Sequence, residues 1–414
     1  MHEHGISKVV VGLLVAWTVG HLWLAGWRNL DPESSFHDSE TYLAAASAYN
    51  SGASPYVQEH LSDRSVLDTG TPTFPFIYPP PYLAFTSWSS HVSRSTYSKL
   101  WFLLNALGLA TTAIVWIKLL RPMPNPAVAV LIPIACSTSL VEHFVAGQSN
   151  LIVLGLASLA VLALKSDRPF LAGIVLGATL GLKPILLPTL VLMLIPRGRR
   201  RLAEGLLLGY ALTLAVFVIA SLCRGLGHSF VMDLIAKYHF EAAPTSFLGT
   251  HLIGFLPRTA FANISIAGSL EAIGLSRMAS LLLSILTVMS VYGGLLARRD
   301  SISRKDPMFQ AAALAAPLLV GTYVFDHHVV LALPALAVCV GWSIHDRKAS
   351  RIVLVTALVA GASMSIRSMH HHFESSSPPT RILVRVTKAL CCAGAALGAV
   401  VLIPRATRPR SSSD

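Results

Sequence analysis

Charged residues are scarce in this chain. They make up 13% of its 414 residues, whereas hydrophobic residues make up 53% and the mean hydropathy is +0.61. An average soluble domain is about a quarter charged. A water-soluble fold of this size cannot cover its surface with so few charges, so the composition excludes an ordinary soluble enzyme and indicates a protein embedded in a membrane.

Cysteine is also rare, and the familiar cofactor motifs are missing. The five cysteines lie mostly inside apolar stretches and lack metal-ligand spacing, so they predict neither a disulfide framework nor a metal site. The chain has no P-loop and no dinucleotide fingerprint. We therefore expect no cofactor and no metal, and an enzyme of this kind must use a donor that does not need the cytosol.

Apolar runs recur along the whole chain, and a spanning helix needs about twenty apolar residues. They predict an all-α polytopic membrane protein, a single membrane-embedded domain over residues 1–414 with about 12 transmembrane helices. The first run is interpreted as an uncleaved span, because no clear small-x-small cleavage site precedes Arg28. The predicted spans are 7–27, 99–118, 126–141, 149–164, 168–182, 184–196, 202–223, 276–297, 308–325, 329–344, 352–366 and 386–403.

Lysine and arginine concentrate in the short connections between these spans. If the N-terminus is cytoplasmic and the chain crosses the membrane twelve times, every short basic connection lies on the inner side. These connections run from Lys8 to a basic tail at 404–414. The net charge of +12 then reflects membrane orientation, and nucleic-acid binding is not expected. The pattern predicts a multi-pass protein of the plasma membrane with both termini in the cytoplasm.

The same topology leaves two long connections outside, residues 28–98 and 224–275. The first contains amphipathic helical material at 42–49 and 81–92, which we expect to lie along the membrane interface. Chemistry is therefore expected on the extracytoplasmic face.

Two carboxylates stand in a polar segment early in the first outer loop. Asp38 is a candidate general base that takes the proton from an acceptor hydroxyl, and Glu40 is a rival base. The structural alternative is that Asp38 or Ser39 caps the helix-like run that follows.

Further polar residues fall at the predicted outer ends of spans. Gln148 and Asn150 can hydrogen-bond a sugar or link two helices. Lys183 interrupts an apolar stretch and suits a phosphate partner, or is a lysine that snorkels at a helix end. His327 and His328 stand where a lipid phosphate or a metal can bind, but adjacent histidines do not share a helix face, which disfavours the metal.

Six short motifs occur in the order found in one enzyme family. They are Asp38 with Tyr42 and Ala45, Gly52-x-x-Pro55-Tyr56, Tyr78-Pro79-Pro80, Gly147-Gln148-x-Asn150, Leu182-Lys183-Pro184 and His327-His328. In this order the chain resembles glycosyltransferase family 87 over about residues 30–345. That family comprises polyprenyl-phosphate-dependent mannosyltransferases with the C-type glycosyltransferase architecture.

The resemblance implies an inverting transferase that leaves polyprenyl phosphate behind. Asp38 would be the catalytic base, and Lys183, His327 and His328 would lie near the donor phosphate. The other candidate substrate contacts are Tyr78, Gln148, Asn150 and Glu40. Expected partners are a polyprenyl-phosphate-sugar donor, a glycolipid or cell-envelope glycan as acceptor, and membrane lipid.

Three alternatives remain at this stage, one of which is a structural membrane subunit with no chemistry. A related transferase that uses a polyprenyl-phosphate pentose shares the general architecture. A lipid or small-molecule transporter, or flippase, also shows broken helices and charges at membrane edges. The transporter is disfavoured because no internal repeat is evident and the polar residues gather at the outer edge, away from the bilayer midplane.

Overall fold

The computed structural model describes the chain in segments. These are residues 9–20, 22–23, 37–62, 75–123, 125–194, 199–242, 306–320 and 326–346, with short pieces between 269 and 287 and isolated positions at 355, 359, 386–387 and 390–391. Most of the second outer loop and most of the spans predicted at 352–366 and 386–403 lie outside the described residues. The basic tail at 404–414 lies outside them entirely.

The described residues form helices and contain no β-strand, which confirms the all-α class. The helices are α1 Val9–Gly20, α2 His37–Asn50, α3 Gln58–Ser62, α4 Pro80–Thr86, α5 Arg94–Leu119, α6 Pro126–Cys136, α7 Thr138–Ala146, α8 Asn150–Lys165, α9 Pro169–Leu182, α10 Leu187–Leu194, α11 Arg200–Cys223, α12 His228–Lys237, α13 Pro307–Ala315, α14 Pro317–Val320 and α15 Leu333–Asp346. Three short 3₁₀ segments are Ser87–His91, Pro184–Leu186 and Asp326–Ala332.

Two of the described helices, α5 and α11, are long and apolar enough to cross a bilayer on their own. The pair α6 and α7, bent by 60° at the junction, makes a third crossing if it is counted as one span. The shorter apolar helices α1, α8 and α9 fall on predicted spans. The structure thus fits a membrane protein, and the total of twelve spans stays a prediction.

The helices α9 and α11 pack with their backbones in direct contact. Gly173 and Gly177 on α9 face α11, and Gly205 and Gly209 on α11 face α9. At each position an added Cβ would collide with backbone atoms of the other helix. Small residues four apart are the usual interface of closely packed membrane helices. This pairing fixes the position of the end of α9, where Lys183 follows.

The helix directions bring four helix ends close to α2. Arg94 at the start of α5 and Ser221 near the end of α11 each contact α2 directly. Lys183, just after α9, bonds to Gln148, just before α8. We call this side of the protein the α2 end. The opposite ends of the same helices carry basic residues, namely Lys118, Arg121, Lys165, Arg168, Arg199, Arg200 and Arg201.

Helix α2 is enclosed by other parts of the protein. Ser39, Tyr42 and Tyr49 are among its buried residues, and the run of alanines between the tyrosines is buried as well. It packs on α3, α4 and the 3₁₀ segment Ser87–His91. Helix α2 therefore has little surface open to lipid or water among the described residues, and the expectation that residues 42–49 lie along the membrane interface stays a prediction.

Candidate active site

Asp38 lies within α2, which already includes His37 and so does not begin after Asp38. Its carboxylate oxygen Oδ2 accepts a hydrogen bond of 2.6 Å from the side-chain amide of Gln148. The two residues are 110 positions apart in the chain. Asp38 therefore takes part in a tertiary contact, which a helix-capping role does not explain.

Gln148 is placed by the turn between α7 and α8. Gly147 ends α7 with a left-handed backbone, φ 67° and ψ 33°, a conformation that glycine adopts without steric cost. The indole of Trp101 donates a hydrogen bond of 2.8 Å to the Gly147 carbonyl and holds this turn against α5. The Gln148 side chain is buried and points toward α2.

Lys183 lies at the break between α9 and the 3₁₀ segment Pro184–Leu186. Its backbone is extended, φ −152° and ψ 113°, as expected for a residue that precedes proline. The ammonium is 5% exposed and donates a hydrogen bond of 2.7 Å to Oε1 of Gln148. It also interacts electrostatically with the Asp38 carboxylate. The structure therefore brings three predicted site residues, Asp38, Gln148 and Lys183, into one network.

A layer of tyrosines encloses this network. The Tyr78 ring centroid is 5.2 Å from the Lys183 nitrogen, and the ring stacks on Tyr82 with centroids 4.7 Å apart. The hydroxyl groups of Tyr42 and Tyr78 are 2.9 Å apart. Burial, reinforced by the negative charge of Asp38, raises the pKa of Tyr78 well above its usual range. Tyr78 therefore stays protonated and keeps its hydroxyl as a hydrogen-bond donor.

Two histidines stand next to the network. His328, in the 3₁₀ segment Asp326–Ala332, interacts electrostatically with Lys183 and with His143. His143 on α7 bonds through Nε2 to Oδ1 of Asn105 on α5 at 2.9 Å, so this nitrogen carries the proton. His328 is thus near Lys183, and its role at the donor phosphate stays a prediction. The side chain of His327 lies outside the described residues.

The remaining predicted residues are placed differently. The Glu40 carboxylate forms an ion pair with Arg94 at 2.5 Å and so contacts α5. Burial raises the pKa of Glu40, although the Arg94 guanidinium opposes this shift. Asn150 is the buried first residue of α8, two positions after Gln148.

The sequence reasoning did not assign a role to Tyr42, Asn105 or Arg94. Tyr42 donates a hydrogen bond of 3.1 Å to Oε1 of Gln148 and is part of the network. Asn105 had a visible signal, since an isolated polar residue within an apolar span is usually functional or paired. Arg94 had no such signal, because a basic residue at the start of a helix is unremarkable.

Comparison with known proteins gives a family. Residues 76–334, more than half of the chain, match the family model described as Glycosyltransferase family 87. The chain belongs to glycosyltransferase family 87. No curated protein and no solved structure gave a match. The match to family 87 contains Tyr78, Gln148, Lys183 and His328, and it begins after Asp38.

Membership in family 87 makes this protein a membrane glycosyltransferase with a sugar donor and an acceptor. The network has the groups that such a reaction needs, a carboxylate that can accept a proton and an ammonium that can neutralise a leaving group. Within the part of the chain that the structure describes, no three His, Cys, Asp or Glu side chains are grouped as metal ligands.

Proposed function

We propose that this family 87 protein transfers mannose from polyprenyl-phosphate-mannose to a hydroxyl group of an extracytoplasmic glycolipid or cell-envelope glycan, with inversion at the anomeric carbon. One observation supports this most directly. The Asp38 carboxylate and the Lys183 ammonium are held on either side of a single carboxamide, that of Gln148. A base and a cation for the leaving group thus lie within reach of one sugar.

The reaction follows from these two groups. Asp38 accepts the proton of the acceptor hydroxyl as its oxygen bonds to the anomeric carbon. The bond between that carbon and the phosphate oxygen breaks, and polyprenyl phosphate leaves with an additional negative charge. Lys183, with His328 beside it, stabilises that charge in a buried site where electrostatic interactions are stronger than in water.

The lipid donor is supported by the location of the site. The network lies at the ends of apolar helices, so the polyprenyl chain can remain in lipid while the phosphate meets Lys183. The basic connections gather at the helix ends opposite the α2 end, and such connections usually face the cytoplasm. The site is then extracytoplasmic, where lipid-linked sugars are the accessible activated donors.

The ion pair of Glu40 favours Asp38 as the base. Arg94 engages the Glu40 carboxylate, whereas Asp38 faces Gln148 and interacts with Lys183. Because inversion requires attack on the face of the anomeric carbon opposite the phosphate, the base must lie in the same site as the leaving-group cation but across the sugar from it. Asp38 meets this requirement.

The test measures transfer of radiolabelled mannose from polyprenyl-phosphate-mannose to endogenous glycolipids in membranes with matched expression. We expect Asp38→Asn to lower the rate by about 10²- to 10⁴-fold, the usual contribution of general base catalysis. Glu40→Gln should retain most of the activity. Asp233→Asn is the matched control, because this half-exposed carboxylate on α12 pairs with Lys237 one turn away.

The outcomes separate the parts of the proposal. Loss of transfer in Glu40→Gln together with an active Asp38→Asn would move the base to Glu40. Transfer from a polyprenyl-phosphate pentose but not from the mannose donor would correct the sugar. Movement of the lipid between leaflets without any product would favour the transporter.

A further inference from the structure

The Gln148 carboxamide uses most of its hydrogen-bonding capacity within the protein. Its oxygen has two lone pairs and accepts from the Lys183 ammonium at 2.7 Å and from the Tyr42 hydroxyl at 3.1 Å. Its nitrogen donates to Asp38 at 2.6 Å, and the side chain also bonds to Tyr78. A side chain that already makes these bonds within the protein is poorly suited to recognise a sugar, which was the role expected from the sequence.

The orientation of this carboxamide is determined by its neighbours. An ammonium only donates hydrogen bonds and an ionised carboxylate only accepts them. The amide oxygen must therefore face Lys183, and the amide nitrogen must face Asp38. Rotating the group by 180° would place two donors together at Lys183 and two acceptors together at Asp38, so the charges on the two sides hold Gln148 in one orientation.

A carboxamide between the two charges also keeps them from neutralising each other directly. In a direct ion pair Asp38 and Lys183 would be committed to one another. With Gln148 between them, the Lys183 ammonium donates to the carboxamide oxygen and the Asp38 carboxylate accepts from the carboxamide nitrogen. The two groups can then contact different parts of the substrate.

We propose that Gln148 is a positioning residue that aims the Asp38 carboxylate and the Lys183 ammonium at the same donor molecule, with Tyr42 holding its oxygen. This inference rests on the proposed function, since it takes Asp38 as the base and Lys183 as the partner of the donor phosphate. Gln148 acts through these two groups and does not itself contact the sugar.

The kinetic test compares Gln148→Leu and Gln148→Glu with the wild type in mannose transfer across a range of pH. A hydrogen bond donated to an ionised carboxylate stabilises that form, so its removal raises the pKa of the base. Lys183, Tyr42 and Tyr78 face Asp38 and are unchanged in both variants. We expect kcat to fall about 10- to 100-fold while KM for the donor changes less.

The acid limb of the kcat profile should move to higher pH in Gln148→Leu. It should move further in Gln148→Glu, where a second carboxylate faces Asp38. A rise in KM with an unchanged kcat and an unchanged pH profile would overturn the proposal and assign Gln148 to sugar binding.

A second measurement does not depend on the donor sugar. Farnesyl phosphate, a short polyprenyl monophosphate, is titrated into the purified protein, and binding is followed by thermal stabilisation. We expect Gln148→Leu to bind it about tenfold more weakly, with little further loss when Lys183→Met is added, because groups that act as a unit are not additive.

Wild-type affinity in Gln148→Leu, or no binding by the wild type, would overturn the proposal. Weakened binding in a protein that does not transfer mannose would support the positioning role and reject only the mannose donor.

Discussion

At the scale of single residues, two carboxylates that are two positions apart on α2 have different neighbours. Asp38 receives a hydrogen bond from Gln148, whereas Glu40 pairs with Arg94. Residues two apart on a helix point in different directions. Burial raises the pKa of Glu40 even with Arg94 present, so burial outweighs the attraction of the guanidinium. The ion pair therefore adds little net stability to the fold. Arg94 nevertheless lowers the free-energy cost of burying the Glu40 carboxylate.

Removal of that arginine should make stability more dependent on pH. In Arg94→Met the pKa of Glu40 rises further, so the folded state binds a proton more tightly than the unfolded state does. Stability is then lost as the pH rises through the folded pKa. Because the Glu40 carboxylate is not completely buried, we expect Arg94→Met to lower the free energy of unfolding by about 1 to 3 kcal/mol at pH 8 and by less at pH 5. The measurement is thermal unfolding of the purified protein in detergent at both pH values.

The matched control is the double variant Arg94→Met with Glu40→Gln. It has no buried carboxylate to titrate, so its unfolding temperature should recover at pH 8 and lose the extra pH dependence. A double variant that is as unstable as Arg94→Met at pH 8 would show that Arg94 acts through other contacts.

At the scale of the helices, the contact of α9 with α11 determines where Lys183 stands. The spacing Gly173-x3-Gly177-x3-Gly181 on α9 and Gly205-x3-Gly209 on α11 is visible in the sequence. It identifies faces that permit close packing. Which two faces meet is a property of the folded protein, because glycines also occur where no helix approaches. Gly12 on α1 is such a case, with no atom within 4 Å of an added Cβ.

Alanine at one of these glycines tests the contact. Gly177→Ala places a methyl group against the backbone of α11 at Leu206, so the helices must separate. We expect a loss of about 1 to 3 kcal/mol, the usual cost of overpacking, measured as unfolding of the purified protein in detergent. Transfer activity should also fall, since Lys183 shifts with α9.

Gly12→Ala is the matched control. The same methyl group meets open space there, and alanine favours a helix over glycine by about 1 kcal/mol. It should be neutral or slightly stabilising. Equal behaviour of the two variants would mean that α9 and α11 are not in backbone contact.

At the scale of the whole molecule, the helix directions separate the network from the basic connections. The turn between α8 and α9 belongs to the basic end, whereas the turn after α2 belongs to the α2 end. The positive-inside rule then predicts the cytoplasm for the first turn and the outside for the second. Ser166 and Ser51 are exposed in these two turns.

Labelling of single cysteines checks this orientation. In a background without the five native cysteines, a membrane-impermeant maleimide should label Ser51→Cys in intact cells and label Ser166→Cys only after lysis. The reverse pattern would place the network in the cytoplasm and contradict a donor that is presented outside. Labelling of both sites in intact cells would show that the sealed membrane was lost, which a cytosolic marker protein monitors.

The sequence by itself determined the class of this protein and proposed the side chains for its chemistry. Hydropathy and charge are local properties of the sequence, so the apolar runs predicted helices. The order of the short motifs indicated family 87. The candidate polar residues were therefore found without their partners. Asp38, Gln148 and Lys183 were recognised as separate candidates on three different segments.

Only the tertiary structure decided which of these residues meet. The contact between Asp38 and Gln148 spans 110 positions, and the one between Gln148 and Lys183 spans 35. Such contacts depend on how helices pack, and local sequence does not encode this. Packing also paired Glu40 with Arg94 and enclosed α2, which the sequence had placed at the membrane interface. A polar segment with a run of small residues is compatible with an exposed helix and with an enclosed one, and the packing of the surrounding helices encloses it.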